Sequence, residues 1–334
     1  MKTSALLAVF CCCATVACAV QIYEPFKYPP GALVAGNNGW VLAAGASPVV
    51  ATNGLATPGL QPAAEGYAAV FGNGAMELRR GMKNLLGGEW PGVYMYSLAF
   101  DVLALGPMTT NGDFIAALSA TNQTGLYGGR LYLRKDVGGN PDSYNIGVSV
   151  ASGQPANIVW SPNVFAVGQT NFVVCRFATP DQGDANTYLW INPDPSTYGQ
   201  QNAPPPDLTA SAAVNPFAAV STMVLHQASA SDGPGSILVD TIRVEGTWAS
   251  VTPVPLTMSV TRTNHTDVFL SWGGYQNVYL QRATTLTPPI TWTNLNGGDA
   301  ASMNNNGSIR NYTITNAVSS SKPNFFRLVA WYVE

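Results

Sequence analysis

The chain is poor in charge. Its 15 Lys and Arg and 18 Asp and Glu make up 10% of 334 residues, against roughly 25% in an average globular protein. Such a balance offers no cationic surface to neutralise a phosphate backbone, which argues against a nucleic-acid partner. Glutamate occurs only six times and helical periodicity is nearly absent, so a helical cytosolic enzyme is disfavoured. There are two histidines and five cysteines. Four of those cysteines, Cys11, Cys12, Cys13 and Cys18, crowd the N-terminus. Beyond that N-terminal stretch no run approaches the ~18 apolar residues needed for a transmembrane segment.

Uncharged polarity takes the place of charge. Asn, Thr, Ser and Gly number 26, 28, 22 and 33, and 46% of the chain is apolar, enough for a core. Lys2 followed by the apolar run Ala5–Ala19, closed by Ala17-Cys18-Ala19, has the pattern of a signal peptide over residues 1–19. The expected location is therefore secreted and extracellular. Thr15-Val16-Ala17-Cys18 leaves a second option, a lipid anchor through Cys18, although Thr15 stands where a lipobox carries Leu. Cleavage after Ala19 leaves Cys175 alone, so no internal disulfide forms and stability must come from core burial. Cys175 lies in the apolar run Asn171–Phe177 and reads as a small buried strand residue.

Alternating and short apolar runs broken by Gly, Pro, Asn and Asp predict an all-β sandwich. Strands are predicted at 93–103, 114–119, 130–135, 145–150, 171–178, 187–191, 219–227 and 236–245. Thr252-Pro253-Val254-Pro255 cannot lie in a central strand and reads as a linker at 253–255. Beyond it, Met258/Val260, Val268/Leu270/Trp272, Val278/Leu280, Tyr312/Ile314 and Phe325–Val329 give a second compact β pattern over 256–334. Its size suits a small immunoglobulin-like β-sandwich.

Several segments carry a resemblance. Tyr23–Gly31 followed by Gly36–Trp40, then Pro58-Gly59-Leu60, Thr187–Pro193, and Ile237–Val244 with Thr247–Pro253 resemble, in order and spacing, a concanavalin A-like (LamG-type) jelly-roll module of exported bacterial proteins. The resemblance implies a concanavalin A-like jelly-roll β-sandwich over 20–252. Leu270-Ser271-Trp272, Tyr279–Thr284, Thr291-Trp292 and Asn324–Leu328 resemble an immunoglobulin- or fibronectin-like module often found behind it. Many such proteins end in a basic sorting helix. Here Trp331–Glu334 carries no such helix, which counts against surface anchoring of that kind.

The fold that this resemblance implies also hosts glycosidases and polysaccharide lyases. Retaining glycosidases need paired carboxylates, and in the jelly-roll glucanases these come from one strand, at even offsets or around a bulge. Glu65, Glu77 and Glu89 have no Asp or Glu two or four residues away. Met76–Arg80 resembles part of an alginate-lyase strand, Arg-x-Glu-x-Arg, but Ala75 stands in the leading place and no Gln-x-His strand follows. It reads as charges at a strand edge. His265 reads as a solvated turn residue and His226 as a hydrogen-bonded strand residue, since no second His or free Cys accompanies it. The enzyme reading therefore ranks below binding.

Asp181, Asp184 and Asn186 place three oxygen side chains in one loop, a candidate calcium site; a solvated turn is the simpler reading. No other cofactor is suggested. Ring faces outside strand cores are the usual handles for sugars. Trp90 in a loop, and Tyr127 beside Arg130, are the candidates for a glycan-contacting rim. Trp160, Trp190, Trp248, Trp272 and Trp292 lie in or beside strands and read as core. Four Asn-x-Ser/Thr sequons, at Asn122, Asn264, Asn306 and Asn311, fit chance in so Asn- and Thr-rich a chain. Three functions follow in order: a secreted binding protein for a carbohydrate or cell-surface glycan, a structural or adhesin-like protein, and an unrecognised glycosidase or lyase.

Overall fold

A computed structural model describes residues 22–61, 66–72, 74–82, 92–120, 125–151, 155–179, 186–212, 220–227, 233–255, 257–262, 267–273, 278–295, 304–306, 309–314 and 324–330. The leader with Cys18, and also Trp90, Asp181, Asp184 and His265, lie outside the described residues. The described part is all-β, as the alternating runs predicted, in a jelly-roll sandwich followed by two smaller sheets.

The first large sheet holds β1 (Ile22–Glu24), β3 (Val49–Val50), β4 (Ala69–Phe71), β6 (Val93–Ala104), β12 (Thr170–Ala178), β13 (Asn186–Ile191), β14 (Leu208–Ser211) and β16 (Ser236–Glu245). Its order is β14-β13-β12-β6-β16-β4-β3, and β1 also pairs with β16. The second holds β2 (Trp40–Gly45), β5 (Met76–Gly81), β7 (Asp113–Ser119), β8 (Gly128–Lys135), β9 (Ser143–Ser149), β10 (Val159–Trp160), β11 (Phe165–Ala166) and β15 (Thr222–Gln227). It runs β10-β9-β8-β7-β15-β5-β2, with β11 on β9. All their pairings are antiparallel.

One core joins these sheets. Side chains on a strand alternate between faces. The inner faces accordingly contribute Tyr96, Leu98, Phe100 and Val102 from β6, Val173, Cys175 and Phe177 from β12, and Leu131 and Leu133 from β8. Cys175 is fully buried, and burial pushes its thiol up to about 12, which leaves it inert. The other face of the first sheet is covered too. There Met95, Val174 and Trp190 meet Trp248 of the short helix α1 (Trp248–Val251). Pro253 accepts a hydrogen bond from Gln61 N at 2.7 Å and Val254 packs on that cluster, so the proline segment lies against the sandwich.

Glu24 ties the two sheets together at one end. Its fully buried carboxylate accepts from Phe26 N (2.7 Å), Tyr28 Oη (2.8 Å), Asn38 Nδ2 (3.2 Å), Trp40 Nε1 (2.8 Å) and Arg80 Nη1 (2.9 Å). Phe26 sits in the left-handed region at φ 50°, and its ring stacks on Trp40 at 6.5 Å. The carboxylate thus holds a backbone conformation that costs on the order of 1–3 kcal/mol.

The C-terminal part forms a sheet of β17 (Met258–Arg262), β18 (Val268–Gly273), β21 (Asn304–Asn306) and β22 (Ile309–Ile314), ordered β17-β18-β22-β21. A second sheet orders β20 (Thr293–Asn294), β19 (Val278–Ala283) and β23 (Phe325–Ala330) as β20-β19-β23. Val268, Leu270, Trp272, Leu280 and Ile314 share one buried cluster across both. Trp292, read as core, is half-buried beside β20.

Candidate functional site

The outer face of the second sheet gathers the chemistry. In β5 Met76 and Leu78 point inward, which sends Glu77 and Arg79 outward. Antiparallel pairing places His226 of β15 directly opposite Glu77. Two register shifts in β7, typical of bulges, let Phe114 and Ala117 both face outward. On β8 the alternation presents Arg130, Tyr132 and Arg134. Gly147 on β9 leaves room for the Trp160 ring of β10, because a Cβ there would stand 2.5 Å from that ring.

A continuous row of rings results. His226 stacks on Phe114 at 4.0 Å and 3°, Phe114 meets Tyr132 at 5.9 Å, and Tyr132 meets Trp160 edge-on at 6.1 Å. Tyr127 joins from the side, 4.9 Å from Phe114. From His226 to Trp160 the ring centroids are at most about 16 Å apart, a row that crosses the strands from β15 to β10. Guanidinium groups lie on these rings. Arg130 sits 5.1 Å from the Phe114 centroid and 5.2 Å from Tyr127, and Arg134 sits 4.3 Å from Trp160.

One end of the row is titratable. Burial opposes the Glu77 charge, but hydrogen bonds from Tyr127 Oη and Arg79 Nε outweigh it and hold the carboxyl below its usual range. The same contact and burial raise the Tyr127 phenol. His226 lies 3.9 Å from Glu77 Oε2 and 3.7 Å from Asp113 Oδ2, both beyond hydrogen-bond length. Its Nδ1 is buried with no hydrogen bond, so the expected hydrogen-bonded histidine is corrected. Burial pulls His226 down to about 4; Glu77 pulls the other way and Arg130 adds to the fall. At 3.9 Å and without a hydrogen bond, the Glu77 charge offsets the burial only in part.

This shift has a measurable sign. The unfolded chain protonates His226 at the ordinary imidazole value of about 6.5, whereas burial holds it at about 4 in the folded chain. Between those values the unfolded state binds more protons, so stability falls as pH drops, by up to about 1.4 kcal/mol per pH unit. Burial raises Asp101, Asp240 and Glu245, which act in the opposite sense. Denaturant titrations of wild type and His226→Gln isolate the histidine. The gap between them should change between pH 6.5 and 4, and parallel curves would refute the burial argument.

Of the sequence candidates, Tyr127 and Arg130 are brought together, with Arg130 Nε donating to Tyr127 O at 3.2 Å. Tyr127 is only 8% exposed, so it walls the site and is not the open rim ring that was expected. Trp160 corrects the core reading, for it lies half-buried on the outer face. Asn186 opens β13, where its Oδ1 accepts from Ser211 Oγ at 2.6 Å and its Nδ2 donates to Tyr188 Oη at 3.3 Å. Its carboxamide oxygen is thus engaged by the neighbouring strand. Among the described residues no three His, Cys, Asp or Glu side chains gather as for a metal ion. Glu77, Arg79, Phe114 and His226 were missed as a set. Only the Glu77-x-Arg79 alternation hinted at them.

No family model matches the chain, and no curated protein matches it. Solved structures resemble it at low identity. Domain 4 of AbnA, an extracellular arabinanase of Geobacillus stearothermophilus in complex with arabinotriose, is 15% identical over 71% of this chain and 99% of that one, with a TM-score of 0.40. An endo-β-1,4-glucuronan lyase from Trichoderma reesei is 12% identical over 71% and 97%, with a TM-score of 0.39. The carbohydrate recognition domain of Emp47p is 8% identical over 68% and 97%, with a TM-score of 0.37. Among the described residues no helix is long and apolar enough to cross a membrane.

Proposed function

We propose that the chain is an extracellular glycan-binding protein, and that the outer face of the second sheet is its binding surface. The row of rings from His226 to Trp160 supports the reading. A sugar chain laid along it meets the half-buried Trp160 and the donors of Arg130 and Arg134, the mix of ring and polar contact that sugars need. Binding without cleavage is supported at the titratable end. Glu77 is already engaged by Tyr127 and Arg79, and His226 Nδ1 is enclosed, so neither is poised to exchange a proton with a ligand.

Trp160→Ala is expected to weaken binding roughly tenfold, the effect of one aromatic anchor. Pull-downs of the full chain on a panel of insoluble and immobilised polysaccharides read it directly. Retention on no polysaccharide, or retention that Trp160→Ala leaves unchanged, would count against this face.

A further inference from the structure

We infer that the glycan this face takes is an anionic one, recognised through carboxylate or sulfate groups by Arg130 and Arg134; the inference rests on the glycan-binding reading above. Bare ring faces are what a neutral sugar requires, and few are left. Phe114 and Tyr132 are 6% and 3% exposed, and guanidinium groups lie over Phe114, Tyr127 and Trp160. What meets solvent along β8 is therefore the cationic layer on top of the rings.

Those guanidinium groups keep donors in hand. Arg130 uses Nε on Tyr127 O at 3.2 Å and Nη1 on Tyr132 Oη at 3.3 Å, and Arg134 uses Nε on Asn145 Oδ1 at 3.4 Å. Nη2 of Arg130 and both Nη atoms of Arg134 make no hydrogen bond among the described residues. None of them is a buried orphan either, unlike Nη2 of Arg79. They are solvent-reachable donors.

No carboxylate among the described residues lies within ion-pair distance of either group. Glu77 pairs with Arg79 instead, and Asp136, which acts on Arg134 from further away, accepts from Gly138 N at 3.0 Å and Asn140 N at 3.4 Å. Packing on rings fixes the plane of each fork, which lowers the entropy lost on binding a planar anion. Arg130 and Arg134 are four residues apart on one strand face, or about 13 Å. A polymer with repeated anionic groups can meet both; a single small anion meets one.

The test is affinity electrophoresis of the full chain in gels containing alginate (carboxylate), carrageenan (sulfate) or laminarin (neutral). Retardation by alginate or carrageenan is expected. It should fall about tenfold or more in Arg134→Gln and in Arg130→Gln, the loss of one charge-assisted hydrogen-bond set. It should fall likewise on raising NaCl from 0.05 to 0.5 M, as screening weakens exposed charge pairs. Arg134→Lys, which keeps the charge but not the fork, should fall between, and unchanged melting of each variant guards against misfolding. Equal retardation by laminarin, insensitive to both variants, overturns the anionic inference and leaves glycan binding standing. Acidic-polymer retardation that survives both variants, or equal retention on oligo(dT), also overturns it. No retardation in any gel overturns both readings.

Discussion

Glu24→Ala is expected to lower the melting temperature by roughly 6–20 °C. Removing one partner of a buried ion pair costs about 3–5 kcal/mol, and a unit of this size loses roughly 2–4 °C per kcal/mol. The physical reason is asymmetry. Arg80 is 4% exposed and its Nη1 reaches Glu24 at 2.9 Å, so alanine leaves a buried cation uncompensated. Tyr28 Oη and Trp40 Nε1 lose their acceptor as well, and Phe26 N loses the partner that holds its left-handed backbone. Glu24→Gln keeps an acceptor but not the charge and should cost less. In the double variant Glu24→Leu/Arg80→Met, apolar groups replace both charges, so its cost should fall well below the sum of the single changes. Thermal unfolding followed by near-UV circular dichroism measures all of them. A Glu24→Ala protein melting within 2 °C of wild type would show that the five hydrogen bonds contribute little net stability.

Trp248→Ala is expected to cost about 3–5 kcal/mol, the range for emptying a large buried aromatic site. Thr247 caps α1 with its hydroxyl on Ser250 N, and this turn drives Trp248 against the outer face of the first sheet. The ring meets Trp190 edge-on at 5.1 Å, and its Nε1 donates to Thr197 O at 2.8 Å. Alanine opens a void beside Val174 and Met95 and leaves the Thr197 carbonyl with only its longer bond from Gln200 N at 3.4 Å. Trp248→Phe fills most of the void without the donor, so its cost should be about 0.5–1.5 kcal/mol, the net worth of one hydrogen bond. Urea unfolding gives both values. If Phe proved as damaging as Ala, the hydrogen bond and not the packing would dominate.

Much of the sandwich was legible because its strands are long and alternate. Residues 93–103, 171–178 and 236–245 were placed as strands, and β6, β12 and β16 cover them. β5 escaped, since Met76–Gly81 shows more charge than apolar repeat. The site was less legible for a different reason. Glu77 and His226 are about 150 residues apart in sequence, and only the register of β5 with β15 sets them opposite each other. Face assignment is the other limit. Around Trp160 alternation reveals two faces without saying which one is inner, and Gly147, whose missing side chain seats the ring, reads in sequence as a mere weak point in a strand.

The position of β16 governs when this chain can fold. It is an inner strand, bonded to β6 on one side and β4 on the other, and it also receives β1, so Ile22 pairs with Val244. Until Glu245 has been synthesised, β6 and β4 each lack a neighbour and β1 has no sheet to join. Seating β16 pairs Ser236 with Ala104 and Ile22 with Val244, separations of 236 − 104 = 132 and 244 − 22 = 222 residues, which places folding among the slow, high-contact-order cases of milliseconds to seconds or longer. A growing or half-delivered chain stays pliable, and a truncation before Glu245 should yield aggregation-prone strands in place of a smaller sandwich.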